Sequence, residues 1–93
     1  MKYKIVSTSK FKKDLARILK QGKDTSKLDT VVELLSEGKK LPISNKDHKL
    51  TGNYKGYREC HIDPDWLLIY RINKSQLILT LTRTGSHSEL LNM

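Results

Sequence analysis

Residues 56–70 read GYRECHIDPDWLLIY and predict two β-strands joined by a tight turn. Pro64 fixes φ close to the value that a turn requires, and the aspartates on either side of it, Asp63 and Asp65, favour turn conformations. The run 66–70 that follows is apolar and rich in β-forming residues, which is typical of a central strand with little solvent contact. We therefore expect this hairpin to form the middle of a sheet.

The three histidines of the chain lie at three separate places in its sequence. His61 lies on the hairpin, close to Asp65. His48 lies in a polar loop, and its placement does not follow from strand geometry. In an antiparallel meander the last strand ends near the start of the second hairpin strand, so Arg83 and His87 are carried toward the hairpin turn. A rigid hairpin can hold an imidazole and a carboxylate in fixed relation, as proton transfer requires.

The remaining segments complete a small domain around the hairpin. Residues 2–6 and 76–83 predict two further strands, and residues 39–53, which lack periodicity, predict a loop. Two helices are predicted between the first strand and this loop by the helical spacing of apolar residues. These residues are Phe11, Leu15, Ile18 and Leu19 in the first helix and Leu28, Val31, Val32 and Leu35 in the second. The order β-α-α-β-β-β predicts one α+β domain over residues 1–93, a small antiparallel β-sheet with two N-terminal helices packed on one face.

Composition argues against several classes of protein. There is no run of eighteen or more apolar residues, so no membrane span is expected, and residues 1–6 lack the apolar region of a signal peptide. The lone Cys60 cannot form a disulfide within the chain and suits a reducing environment, so we expect a cytoplasmic protein. Its place in a strand predicts a buried side chain rather than a nucleophile.

The net charge of +8 is concentrated near the N-terminus. Residues 1–23 contain eight lysine or arginine residues and one acidic residue. Four of the basic residues recur at helical spacing as one stripe: Lys10, Lys13, Arg17 and Lys20. Such a surface is typical of binding to phosphates or to an acidic partner. The alternative is a solvated helix face that keeps the protein soluble.

Three chemistries fit a cluster of histidines and aspartate on a basic protein. The first is metal-independent cleavage of RNA, in which the 2′-hydroxyl attacks the neighbouring phosphate, one group removes its proton and another protonates the leaving 5′-oxygen. Imidazoles suit both steps because they titrate near neutral pH. The second is a metal site with three histidine ligands and one aspartate, which no His-x-x-x-His pair or cysteine set supports. The third is a basic binding module without catalysis.

Three blocks of sequence, taken in order, resemble the YafQ branch of the RelE superfamily. They are Lys46–Leu50 (KDHKL) with Gly52, Lys55–Tyr70 (KGYRECHIDPDWLLIY), and Arg83–His87 (RTGSH). The chain length and the lysine-rich start of the first helix, Phe11–Leu15 (FKKDL), agree with this resemblance. Members of this family are bacterial toxins of type II toxin–antitoxin systems that cleave mRNA on the ribosome. The resemblance therefore implies a RelE-like fold and the activity of an mRNA endoribonuclease.

The resemblance also implies the residues of an active site. The catalytic set would be His48, His61, Asp65 and His87. His87 would be the general acid toward the leaving oxygen, and Asp65 would lie on the base side with His61 or His48. Arg83 would be a cation near the scissile phosphate. Lys49 and the four residues of the basic stripe would bind RNA, and no metal or other cofactor is expected.

Two positions depart from the family pattern. Glu59 stands where the family often has aspartate, and Leu91 stands where an aromatic residue that can stack on an mRNA base is expected. The first is a mild change that keeps a carboxylate. The second bears on base stacking and leaves the proton-transfer residues intact.

The implied partners are the ribosome with its mRNA and a cognate antitoxin. The basic first helix would dock on rRNA phosphates. The antitoxin would be an acidic or amphipathic segment that folds as it binds, and operator DNA would be bound only through it. The alternative function is that of the ParE branch, a non-catalytic toxin of the same fold that inhibits DNA gyrase by binding. The histidines argue against it, because a pure binder needs no groups that titrate near neutrality.

Overall fold

The computed structural model describes residues 2–91, within which the chain forms five strands and three helices. The strands are β1 (Lys4–Ser7), β2 (His48–Lys49), β3 (Arg58–Asp63), β4 (Trp66–Asn73) and β5 (Ile78–Gly85). The helices are α1 (Ser9–Lys20), α2 (Ser26–Ser36) and the short α3 (His87–Leu91), and two 3₁₀ turns lie at Ile43–Asn45 and Gly52–Tyr54. No helix in the described range is long and apolar enough to span a membrane. The predicted single domain covers residues 1–93, which includes residues outside the described range, so the domain bounds remain a prediction.

The predicted α+β class is confirmed, but the sheet is mixed rather than antiparallel throughout. Its strand order is β1-β5-β4-β3-β2. β3, β4 and β5 form the predicted antiparallel meander. In contrast, β1 runs parallel to β5, from Lys4 opposite Ile78 to Ser7 opposite Leu81. Parallel neighbours require a long crossover, and the intervening helices and hairpin provide it.

The two N-terminal helices pack on one face of the sheet, as predicted. α1 begins after Thr8, whose Oγ1 accepts a hydrogen bond of 3.0 Å from the N–H of Phe11 and so caps the helix. Phe11, Ile18 and Leu28 are buried in the main core. Leu19 is 56% exposed, contrary to the prediction, because it lies about 100° around the helix from the buried Ile18.

A β-bulge in β5 changes which side chains face each side of the sheet. Tyr70 pairs with Leu81, but the preceding Ile69 pairs with Arg83, which leaves Thr82 as the extra residue. Directly opposed residues of antiparallel strands point to the same face, so Leu81 faces the helices while Arg83 faces the other way. We call the face packed on α1 and α2 the helix face. The opposite face, here the histidine face, carries Glu59, His61, Leu67, Ile69 and Arg83.

The predicted loop and tail contain more regular structure than their sequences indicate. Residues 39–53 include β2, which pairs antiparallel with β3 through His48 opposite Glu59. Leu77, which alternation assigns to the last strand, has a φ of +57° and is 40% exposed, so β5 begins after it. The segment after β5 forms α3. The side chain of Leu91, and with it the question of base stacking, lies outside what the structure describes.

Cys60 is fully buried on the helix face of β3. Burial raises the pKa of its thiol to about 12, and the nearby carboxylates of Asp47 and Glu59 contribute in the same direction. Because only the thiolate is nucleophilic, we expect the native protein to resist iodoacetamide at mildly alkaline pH. The urea-unfolded protein should be alkylated completely under the same conditions, as measured by intact-mass spectrometry. Rapid alkylation of the native protein would contradict this interpretation.

Candidate active site

The histidine face carries two adjacent rows of side chains that cross the strands. The first row runs through His48, Glu59, Ile69 and Arg83, which are paired in turn from β2 to β5. The second row begins at His61, two residues further along β3. Same-face residues along a strand are roughly 7 Å apart, so the two rows are neighbours. Two of the three histidines are thereby placed on one surface by strand pairing alone.

The third histidine reaches this surface from α3. His87 is the first residue of that helix, and its Nδ1 lies 2.8 Å from Oδ1 of Asp65. The backbone N–H of His87 donates to the same oxygen over 3.1 Å. These two hydrogen bonds lower the pKa of Asp65, so its carboxylate is ionised at neutral pH and can only accept. Nδ1 of His87 therefore carries a hydrogen, and Nε2 is left to exchange a proton with a substrate.

His61 and His87 lie side by side. Their ring centroids are 5.6 Å apart and the ring planes are inclined by 59°. The backbone of His61 is fixed by Asn45, whose Nδ2 donates to the His61 carbonyl over 2.7 Å. The ring of His61 makes no hydrogen bond to any residue in the range 2–91. One imidazole is thus oriented by a carboxylate while its neighbour is free to accept a proton.

His48 contacts the carboxylate of Glu59, which is not among the site residues predicted from the sequence. Its Nδ1 donates to the Lys46 carbonyl over 2.8 Å, which leaves Nε2 facing Oε1 of Glu59 at 3.4 Å. Because Nδ1 already carries a hydrogen, this contact is favourable only when a second proton lies between Nε2 and the carboxylate. The side chain of Glu59 is 6% exposed. Alternation along β3 could have identified Glu59, because it precedes His61 by two residues and so shares its face.

Arg83 lies on the histidine face, but its charge is already engaged. Its Nε donates to Oδ2 of Asp14 over 2.7 Å, and its Nη2 donates to Oδ1 over 3.1 Å. Burial raises the pKa of Asp14, but hydrogen bonds from Arg83, from the Thr84 N–H and from Arg17 outweigh it, so the pKa is lowered overall. The Arg83 and Asp14 side chains are 17% and 4% exposed. Arg83 therefore forms a buried ion pair, and its contact with a phosphate stays a prediction.

The other predicted RNA-binding residues differ in how available they are. Lys10, Lys13 and Lys20 are exposed on α1 and form no ion pair with the described residues, so they can meet phosphates. Lys49 is exposed on β2, where strand alternation directs it away from the face of the neighbouring His48. Arg17 is the exception, because two carboxylates surround its guanidinium.

A cleft of about 360 Å³ opens beside His61. Its walls are formed by the 3₁₀ turn and the hairpin, through Ser44, Asn45, Lys46, His61, Ile62, Asp63 and Pro64. This space lets a polar ligand approach His61 from the loop side. In residues 2–91, no three His, Cys, Asp or Glu side chains are grouped in the manner that a metal ion requires.

Known proteins are similar in sequence to this chain over almost its whole length. Residues 3–92 match the family described as the bacterial toxin of type II toxin–antitoxin system, YafQ. A curated relative is the mRNA interferase toxin YafQ of Escherichia coli K12. It is 39% identical over 84 residues, which cover 89% of this chain and 89% of the relative.

Solved structures of relatives have the same fold. A chain of the E. coli DinJ–YafQ toxin–antitoxin complex matches with a TM-score of 0.87 and 37% identity, covering 97% of this chain and 98% of that one. A metal-bound toxin from Helicobacter pylori matches with a TM-score of 0.89 and 45% identity, covering 95% and 98%. The resemblance found in the sequence is therefore confirmed. This chain belongs to the YafQ family of bacterial toxins of type II toxin–antitoxin systems.

Proposed function

We propose that this chain is an mRNA interferase that cleaves mRNA on the ribosome by metal-independent acid–base chemistry. The observation that carries the proposal is the pair formed by His61 and His87, whose rings are 5.6 Å apart while Asp65 holds Nδ1 of His87. The name of the E. coli relative, mRNA interferase toxin YafQ, supports the same activity.

In this proposal the two imidazoles serve the two ends of one displacement at phosphorus. His61 accepts the proton of the ribose 2′-hydroxyl while the 2′-oxygen forms a bond to phosphorus. The bond from phosphorus to the 5′-oxygen breaks, and Nε2 of His87 gives its proton to that oxygen. The products are a 2′,3′-cyclic phosphate and a 5′-hydroxyl. Arg83 supplies positive charge on the same face, although Asp14 partly neutralises it.

Asp65 takes a different role from the one that the family resemblance implies. Its carboxylate contacts His87 through two hydrogen bonds, which supports a place on the acid side rather than the base side. There it orients the ring and stabilises the imidazolium that must donate the proton. His48 and Glu59 remain on the base side, where Nε2 and Oε1 lie 3.4 Å apart in the row next to His61.

The exposed lysines of α1 support docking on ribosomal RNA. Lys10, Lys13 and Lys20 are free to replace counterions on phosphates, and the net charge of +8 favours approach to a polyanion. The DinJ–YafQ complex shows that the E. coli relative binds an antitoxin. We infer that this chain also binds a cognate antitoxin, with an acidic or amphipathic segment, and contacts operator DNA only through it. The cellular site of all these steps would be the cytoplasm.

Gyrase inhibition by binding alone is less well supported. Inhibition by binding needs neither a carboxylate hydrogen-bonded to the His87 ring nor a second imidazole beside that ring, yet both are present. A test that separates the two functions uses purified toxin, programmed ribosomes and primer extension on the mRNA. We expect discrete cuts with 5′-hydroxyl ends, at an unchanged rate when the toxin has first been stripped with EDTA and returned to magnesium buffer. Intact mRNA together with gyrase-dependent DNA breaks would contradict the proposal.

A further inference from the structure

The segment that bears His87 is held by a capping box. Ser86 Oγ accepts from the Glu89 N–H over 3.2 Å, and Glu89 Oε1 accepts from the Ser86 N–H over 2.8 Å. This reciprocal pair is the arrangement expected of a Ser-x-x-Glu sequence at a helix start. It places His87 at the first position of α3 and fixes the direction of its backbone N–H, which bonds to Asp65.

A helix as short as α3 does not hold its own position, because so few turns are marginally stable in isolation. Arg17 of α1 provides the external anchor. Its Nε lies 2.8 Å from the second carboxylate oxygen of Glu89, and its Nη1 lies 3.0 Å from Oδ1 of Asp14. Its Nη2 donates to the Thr84 carbonyl over 3.3 Å. One guanidinium thus joins α1, the end of β5 and α3.

The backbone before α3 is shaped to admit this anchor. Gly85 has a φ of +157°, and a Cβ at this position would lie 2.8 Å from Nη2 of Arg17 and 3.0 Å from Oε1 of Glu89. A side chain here would therefore push the guanidinium and the carboxylate away from the backbone. The missing side chain lets both groups close over the strand end.

We propose that Arg17 and Glu89 are positioning residues for His87, acting through the capping box, and that Arg17 is not a phosphate contact. This inference rests on the proposed function only for its kinetic consequence, since the placement of His87 can be measured separately. Arg17 and Glu89 are partly shielded, with side chains 35% and 32% exposed, and their charges neutralise each other. A guanidinium held by two carboxylates has little positive charge left to offer RNA.

The kinetic test compares Glu89→Ala, Arg17→Ala and Arg17→Lys with wild type, using Glu33→Ala on the exposed side of α2 as the matched control. We expect Glu89→Ala and Arg17→Ala to lower kcat roughly tenfold or more with KM for RNA nearly unchanged, because a small displacement of the acid slows proton transfer. Arg17→Lys should not restore kcat, since an ammonium cannot span Asp14, Thr84 and Glu89 together. The double variant should be no slower than the slower single variant.

Opposite kinetics would overturn the inference. If Arg17→Ala raises KM at unchanged kcat and Arg17→Lys restores wild-type behaviour, Arg17 binds phosphate as a simple charge. Glu89→Gln is an independent check, because its amide oxygen can still accept from the Ser86 N–H while the charge toward Arg17 is lost. It should fall between wild type and Glu89→Ala.

A measurement without catalysis keeps the inference testable if no RNA is cleaved. The ring of His87, whose Nδ1 is hydrogen-bonded to Asp65, should give the signal of an Nδ1–H imidazole in two-bond ¹H–¹⁵N spectra, which detect the carbon-bound ring hydrogens, in the wild type and in Glu33→Ala. The signal should broaden or vanish in Glu89→Ala, whose substituted side chain is on the surface, while the spectrum of the strands is preserved. An unchanged His87 signal in Glu89→Ala would refute positioning, whatever the fate of the nuclease activity.

Discussion

Replacing His87 by alanine is expected to lower the rate of mRNA cleavage by about a hundredfold or more, the usual contribution of a general acid. His87 is exposed, and its ring contacts Asp65 and His61 rather than the core, so the fold should be preserved. Growth arrest on expression should be relieved, while antitoxin binding, measured by co-purification, should remain. Ser88→Ala, the next residue on α3, is the matched control and should stay toxic.

A modified substrate can show that the missing function is proton donation. An RNA in which sulfur replaces the bridging 5′-oxygen has a leaving group that departs without protonation. The His87→Ala variant should cleave this RNA at close to the wild-type rate. If the variant remains equally slow on both substrates, His87 does not act as the acid. If expression of His87→Ala still arrests growth as strongly as the wild type does, the assignment of His87 as the acid is wrong.

Replacing Asp14 by alanine is expected to cost about 3 kcal/mol of the free energy of unfolding, as for other buried ion pairs that lose one member. The change leaves Arg83, whose side chain is 17% exposed, without its counter-charge. It also removes Asp14 as the acceptor of the Thr84 N–H. Thr84 lies on the part of β5 beyond Leu81, where β1 no longer pairs with the strand. Urea unfolding at neutral pH measures the loss, and Asp29→Ala at the exposed start of α2 is the control.

The contribution of Asp14 to the free energy of unfolding should also decrease as the pH is lowered. The pKa of Asp14 is lowered by folding, so its stabilising contribution is complete above the unfolded value, near 3.8, and is lost as the pH falls through the folded value. The difference in free energy of unfolding between wild type and Asp14→Ala should therefore be full at neutral pH and shrink on acidification below about pH 4. A difference that is constant across this range would show that the ionised carboxylate is not the stabilising species.

Local sequence was sufficient for the centre of the fold. The alternating and apolar residues on either side of Pro64 predict the β3–β4 hairpin because side-chain period and turn chemistry are local properties. The convergence of His61 and His87 also follows from the sequence, since a meander brings the end of β5 beside the start of β4. The three motif blocks were enough to indicate the family.

Several features of the site depend on contacts between distant segments. Alternation along β5 would put Arg83 on the face of Leu79 and Leu81, but the bulge at Thr82 turns it to the histidine face. A bulge depends on the register of two strands, which no single strand encodes. The parallel pairing of β1 with β5 likewise depends on which strands become neighbours in the sheet, and the local conformation of β1 does not determine it.

The partners of the charged groups were decided last, by tertiary structure. The sequence determined that a basic helix, a hairpin and three histidines belong to one small α+β toxin. Only the packing of α1 and α3 against the end of β5 turned Arg17 from a surface charge into a contact of Glu89, and directed Asp65 to His87. The physical reason is that an ion pair requires its two charged groups to lie within about 4 Å of each other. For residues that are distant in the sequence, the whole fold sets this separation.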